Sequence, residues 1–321
     1  MTVLIILAAF SIYLFLDSTH KNPSLVLEHV NGVVSGSFSP SGELIAISTG
    51  DDCKVYLWAV GDGSLRNVFD LCSDERKYKQ TSGQLIFSPD GKKILIGAYA
   101  GNIAQTIDAQ TGKSITYFIG HSDFIRGVSW SSDGSKVATA SKDSSVRIWD
   151  STEGSTIQVL KGHTEPINDV RFSYGGSLIV TASDDNSVII WDVATGHLIK
   201  QLLGHTDDVK TAEFTPDNQK ILTSSYDGTV RTWLISSGNE LLKKEFGGWI
   251  SNAAWSNDGT KIVTGVWLSD KAFLLSADDG EILKELIHTE PEHGHLQFAI
   301  LMPHSYVIAT AAGNIVKIWK M

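Results

Sequence analysis

The chain has 321 residues, 42% of them apolar and 19% charged, with 29 glycines, 7 prolines and 2 cysteines. That composition excludes a long disordered polypeptide and a disulfide-built scaffold. A formal charge of −10 argues against a nucleic-acid partner, whose phosphates are met by Lys and Arg, and fits protein or peptide partners of basic or mixed charge.

Residues 3–16, VLIILAAFSIYLFL, are the one long apolar run. At about 14 residues it falls short of the ~20 that cross a bilayer comfortably. It has the length of a signal-peptide core, but no basic residues precede it and no small-residue cleavage site follows. A short membrane anchor, an atypical secretion signal and sequence added by a mis-assigned start are the alternatives. A buried strand or helix of the fold is the weaker reading, because the repeats that follow account for everything else. The expected division is therefore an apolar segment and linker at 1–23 and a folded domain at 24–321. The expected location is intracellular (cytoplasmic), with a membrane tether through residues 3–16 as one alternative, and secretion is disfavoured.

From Leu25 onward the sequence repeats. An aromatic followed by Ser or Thr and then a turn occurs at Phe38, Phe87, Trp130, Phe172, Phe214 and Trp255, with Leu301 as a degenerate seventh. The spacings are 49, 43, 42, 42, 41 and 46 residues. Within each unit apolar residues alternate with period two, and Gly-, Asn- and Asp-rich turns separate the runs. No capped helical pattern is present. Seven units near 42 residues, each holding four short antiparallel strands, predict an all-β, seven-bladed β-propeller.

The middle units carry a fuller signature: Gly120-His121…Trp149-Asp150, Gly162-His163…Trp191-Asp192 and Gly204-His205…Trp233-Leu234. With these residues the chain resembles the WD-repeat family from residue 24 to 321. The pattern decays outside the middle: Ala59 follows Trp58, Thr106 and Leu275 replace the Trp, and the last unit ends at Trp319-Lys320. The resemblance implies one hydrogen-bonded network per blade: His121, Ser141, Asp143 and Trp149; His163, Ser183, Asp185 and Trp191; His205, Ser225, Asp227 and Trp233. The chemistry agrees, because an Asp can accept from His, His can meet a hydroxyl, and the hydroxyl can accept from an indole N–H. A His, Ser and Asp also suggest a catalytic triad. Recurrence in register three times favours a structural role, since an enzyme needs one such site.

Only Lys320 and Met321 follow Trp319, so the last blade lacks its outer strand. Leu25–Glu28 stands where an outer strand precedes the His in other units, and is expected to complete that blade. An anchor at residues 3–16 would then hold the ring by the face opposite the His-bearing loops.

Chemistry beyond the network is sparse. His288, His293 and His295 with nearby carboxylates have metal-ligand types without the spacing of structural zinc, and a solvated loop is the stronger reading. No cofactor, metal or catalytic residue is assigned. A metal-dependent propeller enzyme using the central channel is the alternative to a non-catalytic scaffold. Cys53 and Cys72 flank one hairpin, and two free, half-buried thiols are the stronger reading against a bridge, whose geometry is demanding. The binding candidates flank the inward residue after each His or precede the turn Asp: Tyr99, Phe124, Arg126, Lys142, Asn168, Asp184, Lys210, Tyr226 and Trp249. Asp51, Pro166, Asp208, Ser251 and Trp267 stand at or beside matching places. Aromatics and Arg so placed are typical interaction anchors, and they point to a peptide- or domain-docking face on a scaffold or adaptor.

Overall fold

The computed structural model describes residues 2–7, 10–15, 23–29, 31–50, 52–71, 82–98, 102–267, 269–288 and 295–321, with the backbone alone for 2–7, 10–15, 82 and 98. These residues form thirty strands and no helix. The strands lie in seven antiparallel sheets. Blade four shows the plan: Ile167–Phe172, Leu178–Ser183, Ser187–Asp192 and Leu198–Leu203 pair in chain order and are called strands a to d. Strand a of each blade packs on strand a of the next, and that of blade seven packs on that of blade one. The seven-bladed ring is therefore closed.

The burial gradient follows composition. Strand b of blade four, LIVTAS, is almost wholly buried, whereas strand d, LIKQLL, is mostly exposed at the circumference. The core lies between blades. Ala138, Val146, Ile148 and Leu160 of blade three pack on Ile167, Val170, Phe172 and Trp191 of blade four. Each such fully buried aliphatic contributes about 1.5–3 kcal/mol, and each blade depends on its neighbour for that burial. The a–b turn needs a left-handed residue, supplied by Gly176 (φ 68°) in blade four and by Asn218 (φ 55°) in blade five. Asn is among the few non-glycine residues that tolerate this conformation.

Two features of strand a position the functional candidates. The ladder slips by one residue at Ile125/Gly127, Ile167/Asp169, Val209/Thr211 and Ile250/Asn252. These bulges re-aim Arg126, Asn168, Lys210 and Ser251 away from simple alternation. The bulge in blade three also brings backbones together: a Cβ on Gly127 would lie 2.9 Å from Asp169 Cα. Secondly, strand a is a sheet edge whose free N–H groups need partners. Side chains of the preceding blade supply them. Gln84 Oε1 accepts Val128 N–H (2.7 Å), Ser129 Oγ accepts Phe172 N–H (3.1 Å) and Thr211 Oγ1 accepts Ala253 N–H (3.2 Å). Asn252 Oδ1 accepts Ala299 N–H (2.9 Å).

Leu25–Glu28 pairs antiparallel with Ile315–Lys320, with Leu25 opposite Ile318 and Leu27 opposite Val316, so the N-terminal strand completes blade seven. Leu25 and Leu27 are buried in the layer shared with blade one. In the apolar run, Thr2–Leu7 and Phe10–Phe15 form a hairpin whose second strand pairs with Leu25–Glu28, which extends this sheet to six strands. The strands of that run thus lie in the blade-seven sheet. The physical reason is the free outer edge of Leu25–Glu28, which offers a ladder to a run rich in β-branched and aromatic residues. Among the described residues no helix is long and apolar enough to cross a membrane. Among them no cysteine is free, and Cys53 is disulfide-bonded. Cys72 lies outside the described residues.

Candidate docking face

The His, Asp and Trp of blades three, four and five occupy one repeated geometry. His121 Nδ1 lies 2.8 Å from Asp143 Oδ2, His121 Nε2 lies 2.7 Å from Thr139 Oγ1, and Trp149 Nε1–H donates to that same oxygen at 2.9 Å. The corresponding distances are 2.8, 2.7 and 3.0 Å for His163, Asp185, Thr181 and Trp191. They are 2.8, 2.7 and 2.9 Å for His205, Asp227, Thr223 and Trp233. The indole N–H donates to the threonine hydroxyl, which also meets His Nε2, while Nδ1 faces the carboxylate.

This corrects the hydroxyl. Ser141, Ser183 and Ser225 do not join His to Trp; Thr139, Thr181 and Thr223, two residues earlier on strand b, do. The serines sit at the mouth of the b–c turn. Ser141 Oγ donates to Asp123 O (2.9 Å) and accepts Asp143 N–H (3.1 Å). Ser183 and Ser225 repeat the second bond to Asp185 and Asp227. Strand pleating puts both hydroxyl positions on one face, and only the deeper one reaches the indole.

The turn aspartates are held well below the usual carboxylate range. Burial alone would raise Asp185, but donation from His163 and Ser187 and from Thr164 N–H outweighs it. The network is buried: His163 is 7% exposed, and Thr181 is fully buried. Nε2 faces Thr181 and is closed to substrate.

His288 is buried in a fourth His–Thr–Trp chain, with no bond to a turn aspartate among the described residues, rather than in the solvated loop expected of it. Its Nε2 lies 2.6 Å from Thr310 Oγ1, which accepts Trp319 Nε1–H at 2.8 Å. Burial pushes His288 down to about 3. His295 stacks on Trp267 with ring centroids 5.4 Å apart, and His293 lies outside the described residues. Among the described residues no group of three or more His, Cys, Asp or Glu is arranged to hold a metal.

The binding candidates lie on the face of the His and Asp loops, tied in pairs by backbone bonds from the b–c turn to the start of strand a. Lys142 N–H donates to Phe124 O, Asp184 N–H to Pro166 O, Tyr226 N–H to Asp208 O and Trp267 N–H to Trp249 O, at 2.7–2.9 Å. Side chains then join successive blades. Arg126 Nη1 donates to Asn168 Oδ1 (2.6 Å) and to Asp184 Oδ2 (2.8 Å). Asn168 Nδ2 donates to Asp184 Oδ1 (2.6 Å). Lys210 Nζ lies 3.7 Å from Asp184 and 3.9 Å from Asp208, and 4.5 Å from the Tyr226 ring centroid. Tyr226 stacks on Trp249 at 4.9 Å. A continuous arc thus runs from blade three to blade six. At its ends Phe124 and Trp249 are 42% and 44% exposed, and Lys142 Nζ lies 5.6 Å over the Phe124 ring. Tyr99 and Asp51 lie outside the described residues.

The carboxylates of the arc are unequal. Burial works against Asp184, yet Asn168, Arg126 and Lys210 hold it below its ordinary value. Asp208 is pushed up to about 6, first by burial and then by Asp184 beside it.

Sequence reasoning missed a second polar group on the inner strands. Asp169 Oδ1 lies 3.3 Å from Arg171 Nη2, and Asp169 Oδ2 accepts Ala212 N–H (3.4 Å). Glu213 Oε2 accepts Trp255 N–H (3.1 Å). The available signal was the carboxylates placed inside the short strands INDVRF and VKTAEF.

Known proteins agree with this architecture. The family model described as WD domain, G-beta repeat matches residues 21–59, 112–150, 154–192 and 196–233. A chromatin assembly factor 1 component of Mus musculus is 26% identical over 157 residues, covering 40% of this chain and 25% of that protein. Coronin-7 of Rattus norvegicus is 32% identical over 104 residues, 32% of this chain and 11% of that one. Probable cytosolic iron-sulfur protein assembly protein 1 of Candida glabrata is 27% identical over 135 residues, 39% of each. The chain thus spans well under two thirds of these relatives. This chain therefore carries WD repeats, four of them matched by the family model, in a ring of seven blades with His–Thr–Trp bonds inside them.

Proposed function

We propose that the ring is a non-catalytic protein-interaction scaffold or adaptor that docks a peptide or domain on the face of the His and Asp loops. The observation that carries this reading is the arc from Phe124 to Trp249. Its polar members bind one another, so the surface is held in place before any partner arrives, and its two ends expose aromatic rings. Preorganised aromatic anchors reduce the ordering cost of association, and a few of them dominate binding energy. The scaffold reading also accords with relatives that carry assembly in their names. A propeller enzyme would want polar groups free in the channel. Glu213 and Asp169 instead accept backbone N–H groups of neighbouring blades. The test is affinity capture with mass spectrometry, comparing the wild type with a Phe124→Ala, Tyr226→Ala, Trp249→Ala variant. The proposal expects the specific partners to be lost from a variant that melts like the wild type. Full retention would refute it.

A further inference from the structure

We infer that the segment this face accepts presents a lysine or arginine side chain, which docks against Asp208 beside the Tyr226–Trp249 stack. This deepens the docking reading above and rests on it.

Charge on the arc points this way. Of its three cations, Arg126 is bonded to Asp184 at 2.8 Å, Lys210 lies between Asp184 and Asp208 at 3.7 and 3.9 Å, and Lys142 lies over the Phe124 ring at the far end of the arc. Asp184 accepts from Arg126 and Asn168 and faces Lys210, whereas Asp208, which shares a hydrogen bond with Asp184, has only the longest of these contacts to a cation. Its side chain is 31% exposed. Around it the loops add further negative charge at one repeated place, the second residue after each network histidine: Asp123, Glu165 and Asp207. Among the described residues none of these three forms an ion pair. Asp123 and Asp207 each accept only the next backbone N–H, at 2.8 Å. The surface therefore carries more carboxylates than cations, and a docking segment has to supply the difference.

Aromatic chemistry selects the same ligand. Tyr226 N–H donates to Asp208 O at 2.9 Å, which ties the carboxylate-bearing loop to the stacked pair. One face of the pair is occupied by Lys210, so the ring system already holds a cation on its blade-five side. Trp249, 44% exposed at the other side, offers the best aromatic surface for another. A basic side chain with an apolar neighbour satisfies both the carboxylate and the indole; an acidic one would be repelled by Asp207 and Asp208.

Protonation gives the test a second readout. Asp208 faces Asp184 from blade four and Lys210 and Asp207 from its own blade, with Arg126 of blade three behind Asp184. Burial and Asp184 push its carboxyl up to about 6. Below that pH it is protonated and the ligand cation loses its partner; above it the charge is restored.

The experiment uses the full chain and immobilised degenerate peptide pools with one fixed central residue: Lys, Arg, Glu or Leu. The Lys and Arg pools are expected to be retained in preference to the Glu and Leu pools, with retention rising several-fold from pH 5 to pH 7.5. Asp208→Asn should lower that retention by about tenfold and flatten its pH dependence, since a close interfacial charge pair commonly couples that strongly. Trp249→Ala should lower it as well. Melting curves establish that both variants fold. Equal retention of the Glu or Leu pools, still sensitive to Trp249→Ala, overturns the cation assignment and leaves the docking face standing. Retention insensitive to both substitutions overturns the assignment and the face together. Retention of no pool overturns the cation assignment, while partner capture decides the face separately.

Discussion

The Glu213 carboxylate accepts the backbone N–H of Trp255 at 3.1 Å across the boundary between blades five and six. It is half-buried, and desolvation pushes its carboxyl up to about 7 against the pull of Arg171. Asp169 on the neighbouring strand is raised for the same reason. A carboxyl whose folded value lies above its unfolded one binds more protons when folded. Stability is thus lost as pH rises from about 4.5 through about 7. Glu213→Gln keeps the acceptor and removes the desolvated charge. Thermal melts should show the variant more stable than the wild type at pH 8 and close to it at pH 5. An equal difference at both pH values would contradict the assignment.

Thr181→Val tests the corrected network. The substitution keeps shape but leaves the Trp191 indole N–H and His163 Nε2 without their common partner. Stranding two buried polar groups costs about 2–5 kcal/mol. Ser183→Ala, at a fully buried hydroxyl, leaves one donor, the Asp185 N–H, without its acceptor and should cost about 1–3 kcal/mol, the smaller of the two. Chemical denaturation of the two variants side by side gives the comparison; a costlier Ser183→Ala would restore the serine to the network.

The turn aspartates set the acid limit of the ring. Asp143, Asp185 and Asp227 are all held well below their unfolded values, so their contribution is present above about pH 4 and lost as pH falls toward the folded value. Asp185→Ala should lower the melting temperature at pH 7. Its deficit should narrow below about pH 4, where the wild-type carboxylate begins to protonate in the unfolded chain. Melts from pH 2.5 to 7 check the trend, and a deficit that widens in acid would be the wrong sign.

Two truncations separate ring closure from the apolar hairpin. Removing residues 1–22 leaves Leu25–Glu28 paired with Ile315–Lys320 and should yield a folded monomer. Removing residues 1–28 exposes the edge of Ile315–Lys320 and uncovers the layer around Val316 and Ile318, and should yield aggregates or unfolded chain. Size-exclusion chromatography with light scattering distinguishes them. A stable monomer after the longer truncation would mean that the seventh blade does not need its N-terminal strand.

Much of this was legible in the sequence because a repeat states its own period. The spacing of His163 and Trp191, copied 42 residues away on both sides, identifies the blade and its network. The hydroxyl was not legible: Thr181 and Ser183 share a face of one strand, and only depth tells them apart. The bulges that turn Arg126, Asn168 and Lys210 toward one another have no local mark either, since a slipped register depends on both strands. Placement in a short strand does not by itself separate Glu213 and Asp169 from ordinary solvated charges, yet they accept backbone N–H groups at the free edge of the next blade. His288 was hidden by the histidines after it, and the hairpin at Thr2–Leu7 and Phe10–Phe15 by its resemblance to an anchor.

The central claim is that the regular polar signature holds the ring together while the less regular residues beside it hold a partner. One paired measurement tests it: melting temperature and partner capture for Thr181→Val and for the combined Phe124→Ala, Tyr226→Ala, Trp249→Ala variant. The expected result is a double dissociation. Thr181→Val melts several degrees lower and, below its melting point, still captures the partner; the triple variant melts with the wild type and captures none. The reverse pattern, capture lost with Thr181→Val and retained by the triple variant, would contradict it.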